Sequence, residues 1–330
     1  MQKNKIKIIC ENLNNPLRLD IYLTNALNLS RSQVLKSIEK GEILLNNAII
    51  SKGGILIKNG DCIELIHSQK QLESQQKSLE IPTIYEDEYL LILNKPSDLI
   101  VHKANQNDTQ FSLAEWLKEK NYPLSNLGDS NRAGIIHRLD KGTSGAIVIA
   151  KDNKTHLHLS TQLKERTMGR YYLCVLDAPL KKPQIIDSPI IRHPKLRLKY
   201  ITANKNNTEA KPAKTAFFNI DSTKNLALIG AKLFSGRTHQ IRVHLNTLNR
   251  HILGDGFYGY KGDFKDRILL HAHLLYLTHP ISQKPLRIYA PIPQIMQEFL
   301  EKNFTIESYK TKGEILIPLD TLYLNSFASC

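Results

Sequence analysis

The chain has 330 residues, 45 Lys and Arg against 31 Asp and Glu, a net charge of +14 and a pI near 9.5. That length fits one large or two unequal domains with ample core, and the charge points to an anionic partner such as nucleic acid. No apolar run is long enough to span a bilayer, the start from Met1 to Cys10 lacks a signal-peptide pattern, and the four cysteines (Cys10, Cys62, Cys174, Cys330) form no CxxC pair, which argues against a membrane span and a zinc site and for a cytoplasmic setting.

In chain order, Leu19, Leu23, Ala26 and Leu27 share one helical face, and Ser30 with Gln33 reads as a capping box for a helix through Ile38, stopped by Gly41. Strands are predicted at Ile43–Leu45 and Cys62–Ile66, with turns at Asn46–Asn47, Gly53–Gly54 and Asn59–Gly60–Asp61. The polar run 68–80 holds only Leu72 and Leu79 as apolar residues and reads as a linker. Beyond it, strands are expected at Leu90–Asn94, Ala146–Ala150, Tyr171–Leu176, Thr215–Ile220, Leu226–Leu233, Leu269–Leu275 and Leu286–Tyr289. Helices are expected near Lys154–Leu163 and through His239–Leu248. Helices on a largely antiparallel, mixed sheet make an α+β domain.

The stretch Gly134–Ile135–Ile136–His137–Arg138–Leu139–Asp140–Lys141–Gly142–Thr143–Ser144–Gly145 carries the most chemistry. Asp140 stands on a glycine-bounded turn between Arg138 and Lys141, just ahead of a buried strand. A carboxylate held between cations stays ionised and can act as nucleophile or base. For a lone Asp, a salt bridge that pins a loop is the simpler reading. Other motifs accompany this one: Tyr85 to Pro96 followed by Val101–His102, Arg166-x-Met168-x-Arg170-x-Tyr172, and Gly236–Arg237–Thr238–His239–Gln240–Ile241–Arg242–Val243–His244. Gly254–Asp255 with Tyr258–Gly259, Leu270–His271–Ala272 and His279–Pro280 complete the series.

Over roughly residues 80–300 these motifs resemble, in order, the RluA-type family of RNA pseudouridine synthases, in its ribosomal large-subunit (RluC/RluD-like) branch. The N-terminal module resembles the S4 RNA-binding domain in its R-L-D start, S-R-S second helix and N-G-D turn. The resemblance implies an S4-like domain over 1–67, a linker over 68–80, a pseudouridine synthase catalytic domain over 81–305 and a C-terminal extension over 306–330. It implies an isomerase that breaks the bond between ribose and uracil N1, turns the base and rejoins it through C5, with no cofactor. Asp140 is then the catalytic carboxylate, adding to uracil C6 or ribose C1′, two routes that stay open. Arg242 would pair with Asp140, or else contact phosphate or form a structural ion pair. Tyr172 would pack against the base and relay a proton, or simply be a strand aromatic, with Tyr171 on the opposite face.

RNA-binding residues follow from the same resemblance. Arg138 suits the gap left by a flipped-out uridine, or a second salt bridge to its loop. Arg237, Thr238 and His239, at a helix start, would hold phosphate or ribose. In the first module Arg18, Arg31, Lys36 and Lys40 would contact phosphates without reading sequence. The basic stretch Arg192–Tyr200 suits phosphate tracking or a solvated loop. Gly254-x-Gly256-x-x-Gly259 matches a dinucleotide fingerprint only in letters, since no helix is expected to open after it. The pairs His156/His158 and His271/His273 lack a third ligand and read as surface histidines rather than a metal site. The chain departs from the family at Asp98, where Gly is usual, at Arg170, where Lys is usual, and at Ser235, where Thr is common. Ile315–Pro318 suggests an added edge strand. The expected partner is large-subunit ribosomal RNA or its assembly precursor, met by a monomer away from membranes. The rivals are a synthase acting on tRNA and a non-catalytic RNA-binding ribosome-assembly protein, and an intact Asp140, Tyr172 and Arg242 argues against the latter.

Overall fold

A computed structural model of the chain describes residues 4–11, 13, 15–26, 31–39, 41–67, 79–103, 108, 110–127 and 132–328. The chain divides into two units, Met1–Glu80 with Lys103–Phe111, and Ile81–His102 with Ser112–Cys330.

The first unit runs β1 (Asn4–Ile9), α1 (Leu19–Ala26), α2 (Arg31–Glu39), β2 (Ile43–Leu45), β3 (Ala48–Ile49) and β4 (Cys62–His67). Its antiparallel sheet has the order β1-β4-β2-β3. Leu19 and Leu23 lie four apart on α1, Val34 and Ile38 four apart on α2, and both pairs are buried against Ile43, Ile57 and Ile63. Asn46 and Asn47 both adopt positive φ, the backbone that a two-residue hairpin turn requires. Strand β1 lies outside the expected strands, because its alternation of polar and apolar residues is short. Arg18 is committed locally, because Nε and Nη2 donate to the two oxygens of the buried Asp20 at 3.0 Å each. Leu27, Ser30, Lys40 and the side chains of Arg31, Gln33 and Lys36, with most of the expected linker, lie outside the described residues.

The second unit runs β5 (Thr83–Glu86), β6 (Leu90–Lys95), α3 (Leu113–Glu119), β7 (Ser144–Ala150), α4 (Asn153–Glu165), β8 (Gly169–Leu176) and β9 (Gln184–Asp187). It continues through β10 (Lys214–Ser222), β11 (Ala227–Leu233), α5 (Gln240–Thr247), β12 (Leu270–Thr278), β13 (Pro285–Tyr289), α6 (Gln294–Asn303) and α7 (Leu319–Phe327). Nine strands form one sheet in the order β9-β10-β11-β8-β12-β7-β6-β5, with β13 also on β12. Every pairing is antiparallel except β12 with β7, which touch only at His271–Ser144 and Ala272–Gly145. The sheet is mixed and largely antiparallel, as expected.

Every residue of β7 and β8 is buried, which is why both read as unbroken apolar runs rather than alternating ones. Helix α4 covers one face, with Leu159 packed among Leu90, Ile92, Val148 and Met168. It starts at Asp152, whose carboxylate accepts from the Thr155 N–H at 2.8 Å. Gly145 has φ +118, and a Cβ there would run into the Ala272 backbone, so the loop ahead of β7 can meet β12 only through glycine. Asp98, where the resembled family usually has Gly, takes φ +68 and donates its N–H to Lys141 O at 2.7 Å. The left-handed turn is thus kept by a residue that tolerates it less well than Gly.

Two expectations are corrected. Glu314–Ile315 pairs only with Lys310–Thr311, not with the main sheet. After that hairpin the tail forms α7, whose Tyr323 packs against Tyr171, Phe218 and Phe234. His271 and His273 are not surface residues: both are fully buried on β12, where burial pushes their pKa down to about 3 and about 4.

Candidate active site

Asp140 follows the chain reversal at Ile135–Leu139 and precedes β7. The loop is anchored from three directions. Its Lys141 carbonyl accepts from Asp98 N–H, its Asp140 carbonyl accepts from Thr143 N–H at 3.0 Å, and the fully buried Lys95 reaches beneath it. Lys95 Nζ donates to Pro96 O at 2.7 Å and Leu99 O at 2.8 Å, with Lys141 O at 3.5 Å. Burial pulls the Lys95 pKa down to about 7, against the opposing pull of Asp140 and Asp98. The Asp140 side chain is half-buried, and among the described residues its carboxylate has no hydrogen bond or ion pair.

Tyr172 and Arg242 line the same cleft as Asp140, with Arg138, Arg170, Arg237 and Thr238 around them. Tyr172 comes from β8, at a slip in register: Tyr171 faces Leu274 but Tyr172 faces Ala272. A bulge of this kind re-aims side chains. Tyr171 turns the other way, onto Tyr276 and Tyr323, as strand alternation predicts. Burial raises the Tyr172 pKa; Arg170 lowers it and Asp140 raises it, leaving the phenol protonated at neutral pH.

The pairing expected for Arg242 is not the one found. Its Nε and Nη2 donate to the two oxygens of Asp255, each at 2.7 Å, and both side chains are buried. Burial opposes the guanidinium's charge, but the Asp255 bonds outweigh it and the pKa is raised, with a smaller contribution from Asp140. Arg242 therefore reaches Asp140 through the field rather than through a bond. The Tyr258 ring lies 4.6 Å from the guanidinium carbon, and the Tyr258 hydroxyl stands 2.9 Å from His239 Nδ1. His239 sits just ahead of α5 with φ +57, and burial lowers its pKa, so the ring is neutral.

Gln240 holds the turn ahead of α5. Its Oε1 accepts from Ser235 Oγ at 2.8 Å and Arg237 N–H at 3.0 Å, and its Nε2 donates to Lys214 O and Thr215 Oγ1. All four bonding positions of the buried amide are used. Ser235, a departure from the family pattern, keeps the hydroxyl this contact needs. Arg237 donates through Nε to Pro212 O, and Arg138 reaches His102 Nε2 at 3.4 Å from an exposed position. Next to the Asp140 cleft runs a groove walled by Arg132, Arg138, Arg166, Arg170, Lys232 and Arg237, with no carboxylate in its lining. Asp255, Gln240 and Lys95 all lie inside motifs visible in the sequence, yet no local spacing reveals their partners. Gly254 and Gly259, at φ +80 and +107, bound a short turn over Gly256–Tyr258 and open no helix, so the dinucleotide pattern is spurious. His244 is a packed histidine bonded to Thr215 and Ser188.

The sequence profile described as RNA pseudouridylate synthase matches residues 89–247, a span holding Asp140, Tyr172 and Arg242. A Helicobacter pylori protein named uncharacterized RNA pseudouridine synthase is 46% identical over 299 residues, covering 88% of this chain and 91% of its own. This chain belongs to the RNA pseudouridine synthase family. A Zymomonas mobilis member named ribosomal large subunit pseudouridine synthase D is 32% identical over 292 residues, covering 85% of this chain and 92% of its own. The solved structure of human RNA pseudouridylate synthase domain containing 1 has the same fold, with a TM-score of 0.55 over 76% of this chain and 95% of its own at 21% identity. As members of this family are isomerases, a pseudouridine synthase is the enzyme class of this chain. No helix among the described residues is long and apolar enough to cross a membrane.

Proposed function

We propose that this synthase converts specific uridines of large-subunit ribosomal RNA to pseudouridine, with Asp140 as its catalytic carboxylate and no cofactor. One observation carries the reading: an unbonded Asp140 carboxylate faces the same cleft as the buried Tyr172 and the Asp255-locked Arg242. The name of the Zymomonas mobilis relative supports ribosomal RNA as the substrate.

In the resting site Arg242 is held by Asp255, so its charge stands beside the cleft without occupying the Asp140 oxygens that must react. The carboxylate adds to uracil C6 or ribose C1′, the bond from C1′ to N1 breaks, and the turned base is rejoined to C1′ through C5; the Asp140 carboxylate is released from C1′ as C5 takes its place, or expelled from C6 as the C5 proton leaves. A proton then has to leave C5. A protonated phenol is a poor base, but on the C6 route Asp140 is still a neutral ester when the C5 proton leaves and no longer raises the Tyr172 pKa, whereas Arg170 still lowers it. On that route Tyr172 is a better acceptor while the adduct lasts.

Arg138 takes the place left by the flipped uridine, and Arg237, Thr238 and His239 hold phosphate or ribose around it. We further propose that residues 1–67 form an S4-like module, joined by 68–80 to a catalytic domain over 81–305, with 306–330 as an extension. Arg18, Arg31, Lys36 and Lys40 would be its phosphate contacts; the Arg18–Asp20 pair leaves Arg18 a weaker one than the isolated motif implies. The enzyme is read as a cytoplasmic monomer.

Tritium release from large-subunit rRNA labelled at uridine C5 tests the assignment. Wild type is expected to release tritium, and Asp140→Asn to release none while binding RNA with unchanged affinity. Full activity in the variant would remove Asp140 from the chemistry. RNA binding without release by wild type would favour another RNA or a binding protein.

A further inference from the structure

Arg170 is a buried cation of the cleft whose charge no carboxylate answers among the described residues. It stands two residues before Tyr172 on β8, is 6% exposed, and lines both the Asp140 cleft and the basic groove beside it. Arg242, equally buried, shows the usual solution, a bidentate carboxylate. Arg170 makes no ion pair among the described residues, and its Nε is buried without a partner. Its one polar contact is from Nη1 to His137 Nδ1, at 2.7 Å. The other nitrogen of that ring already accepts from the Val148 N–H at 3.2 Å. Burial, with Arg170 beside it, pushes the His137 pKa well down, so the ring is neutral. A neutral imidazole has a single acceptor. His137 is therefore set between two donors and can satisfy only one of them. On the other side of the guanidinium, a Cβ at Gly236 would come within 3.3 Å of Nη2, so the group lies close to the bare backbone ahead of α5.

We propose that Arg170 is a positioning residue that receives a phosphodiester of the RNA where the groove meets the reaction cleft. This rests on the RNA substrate read above. An RNA strand following the groove meets six cations and no carboxylate in its lining, and Arg170 is among those that also line the Asp140 cleft. A phosphate offers two oxygens at the spacing of the guanidinium fork, and so answers both the unpaired Nε and the charge. A uracil carbonyl would satisfy one N–H and leave the charge unanswered in a buried wall. Held there, the phosphate fixes the backbone of the nucleotide whose base meets Tyr172. Lys, usual at this position in the resembled family, could neutralise the phosphate but not grip it with two parallel bonds.

The test uses the full chain and its Arg170→Met and Arg170→Lys variants, each first checked for a cooperative unfolding transition. Two readings are taken: calorimetric binding of uridine against uridine 3′,5′-bisphosphate, and binding of a large-subunit rRNA transcript across a salt series. Wild type should bind the bisphosphate about tenfold or more tighter than uridine, as expected of a charge-assisted contact. Arg170→Met should cut that preference severalfold, with Arg237, Thr238 and His239 keeping the rest, and reduce the slope of log K against log salt by about 0.7–0.9, one phosphate contact. Arg170→Lys should keep the slope and recover part of the preference, a pattern that mere support of the fold would not produce. An unchanged preference and slope in a folded Arg170→Met variant overturns the proposal, as does equal binding of the two ligands by wild type. Should Arg170→Met fail to fold, Arg170→Gln is read by the same criteria. Neither reading needs turnover. Intact Arg170-dependent binding without tritium release would overturn the activity and leave this contact standing, and turnover with an unchanged slope would do the reverse.

Discussion

Lys95 shows how a single buried charge couples the fold of this enzyme to pH. Its ammonium ties the 96–99 loop to the loop of Asp140, and its pKa near 7 lies well below the value of about 10.4 for lysine in an unfolded chain. Between those two values the unfolded state binds more protons than the folded one, so stability rises with pH across that window. Below about pH 7 both states carry the proton and the contribution is flat. The limiting slope is about 1.4 kcal/mol per pH unit. Other lysines titrate near the top of the window, so the comparison must be against Lys95→Met. Urea unfolding at pH 7.5 and 9 should show wild type gaining about 1–2 kcal/mol relative to that variant. An identical pH dependence would mean that Lys95 keeps its proton throughout. Lys95→Met should also slow tritium release, since two buried carbonyls beneath the Asp140 loop would lose their donor.

Elements were legible where burial is symmetrical or a turn residue is unmistakable. Strands β7 and β8 are buried on both faces and show as apolar runs, and Asn46–Asn47 marks its hairpin directly. Helix α3 was missed although Ser112 and Glu115 form a reciprocal capping box, because only two turns follow. Motif resemblance singled out Asp140, Tyr172 and Arg242, which line one cleft, but the partner of Arg242 was not legible: Asp255 belongs to a separate turn that only the fold brings to α5. Helix α7 was invisible for a different reason. Its anchor, Tyr323, is one aromatic whose neighbours lie on β8, β10 and the end of β11. Lys232 Nζ sits 4.2 Å from the centre of that ring, bridging it to the sheet. Tyr323→Ala should therefore cost about 2–3 kcal/mol, below the full price of a core aromatic because the ring is half-buried. In a unit of this size that lowers the unfolding midpoint by about 4–12 °C. The cluster lies on the Tyr171 side of β8, away from Tyr172, so the single-turnover rate on saturating RNA should hold. A rate lost with no fall in midpoint would mean that the tail acts on the reaction itself.

At the scale of the whole molecule, charge is distributed unevenly between binding and chemistry. Residues 1–67 hold nine Lys and Arg against six Asp and Glu, a net +3 of the chain's +14. The larger share belongs to the part that carries the Asp140 cleft and its carboxylate-free groove. Each phosphate neutralised adds to affinity through counterion release, whichever part supplies the cation. The chemistry proposed above rests on Asp140, Tyr172 and Arg242, all within the second unit. Deleting residues 1–67 should therefore weaken binding of large-subunit rRNA and lower the salt slope by about 2–3, the loss of three or so phosphate contacts. Once RNA is saturating, the single-turnover rate should change much less than the affinity. The measurement pairs the salt series with tritium release for the full chain and for 68–330, after circular dichroism has shown the shorter chain folded. An unchanged slope would make the first unit a bystander to RNA. A collapsed rate at saturation, with the fold intact, would make it part of the machinery that presents the uridine to Asp140.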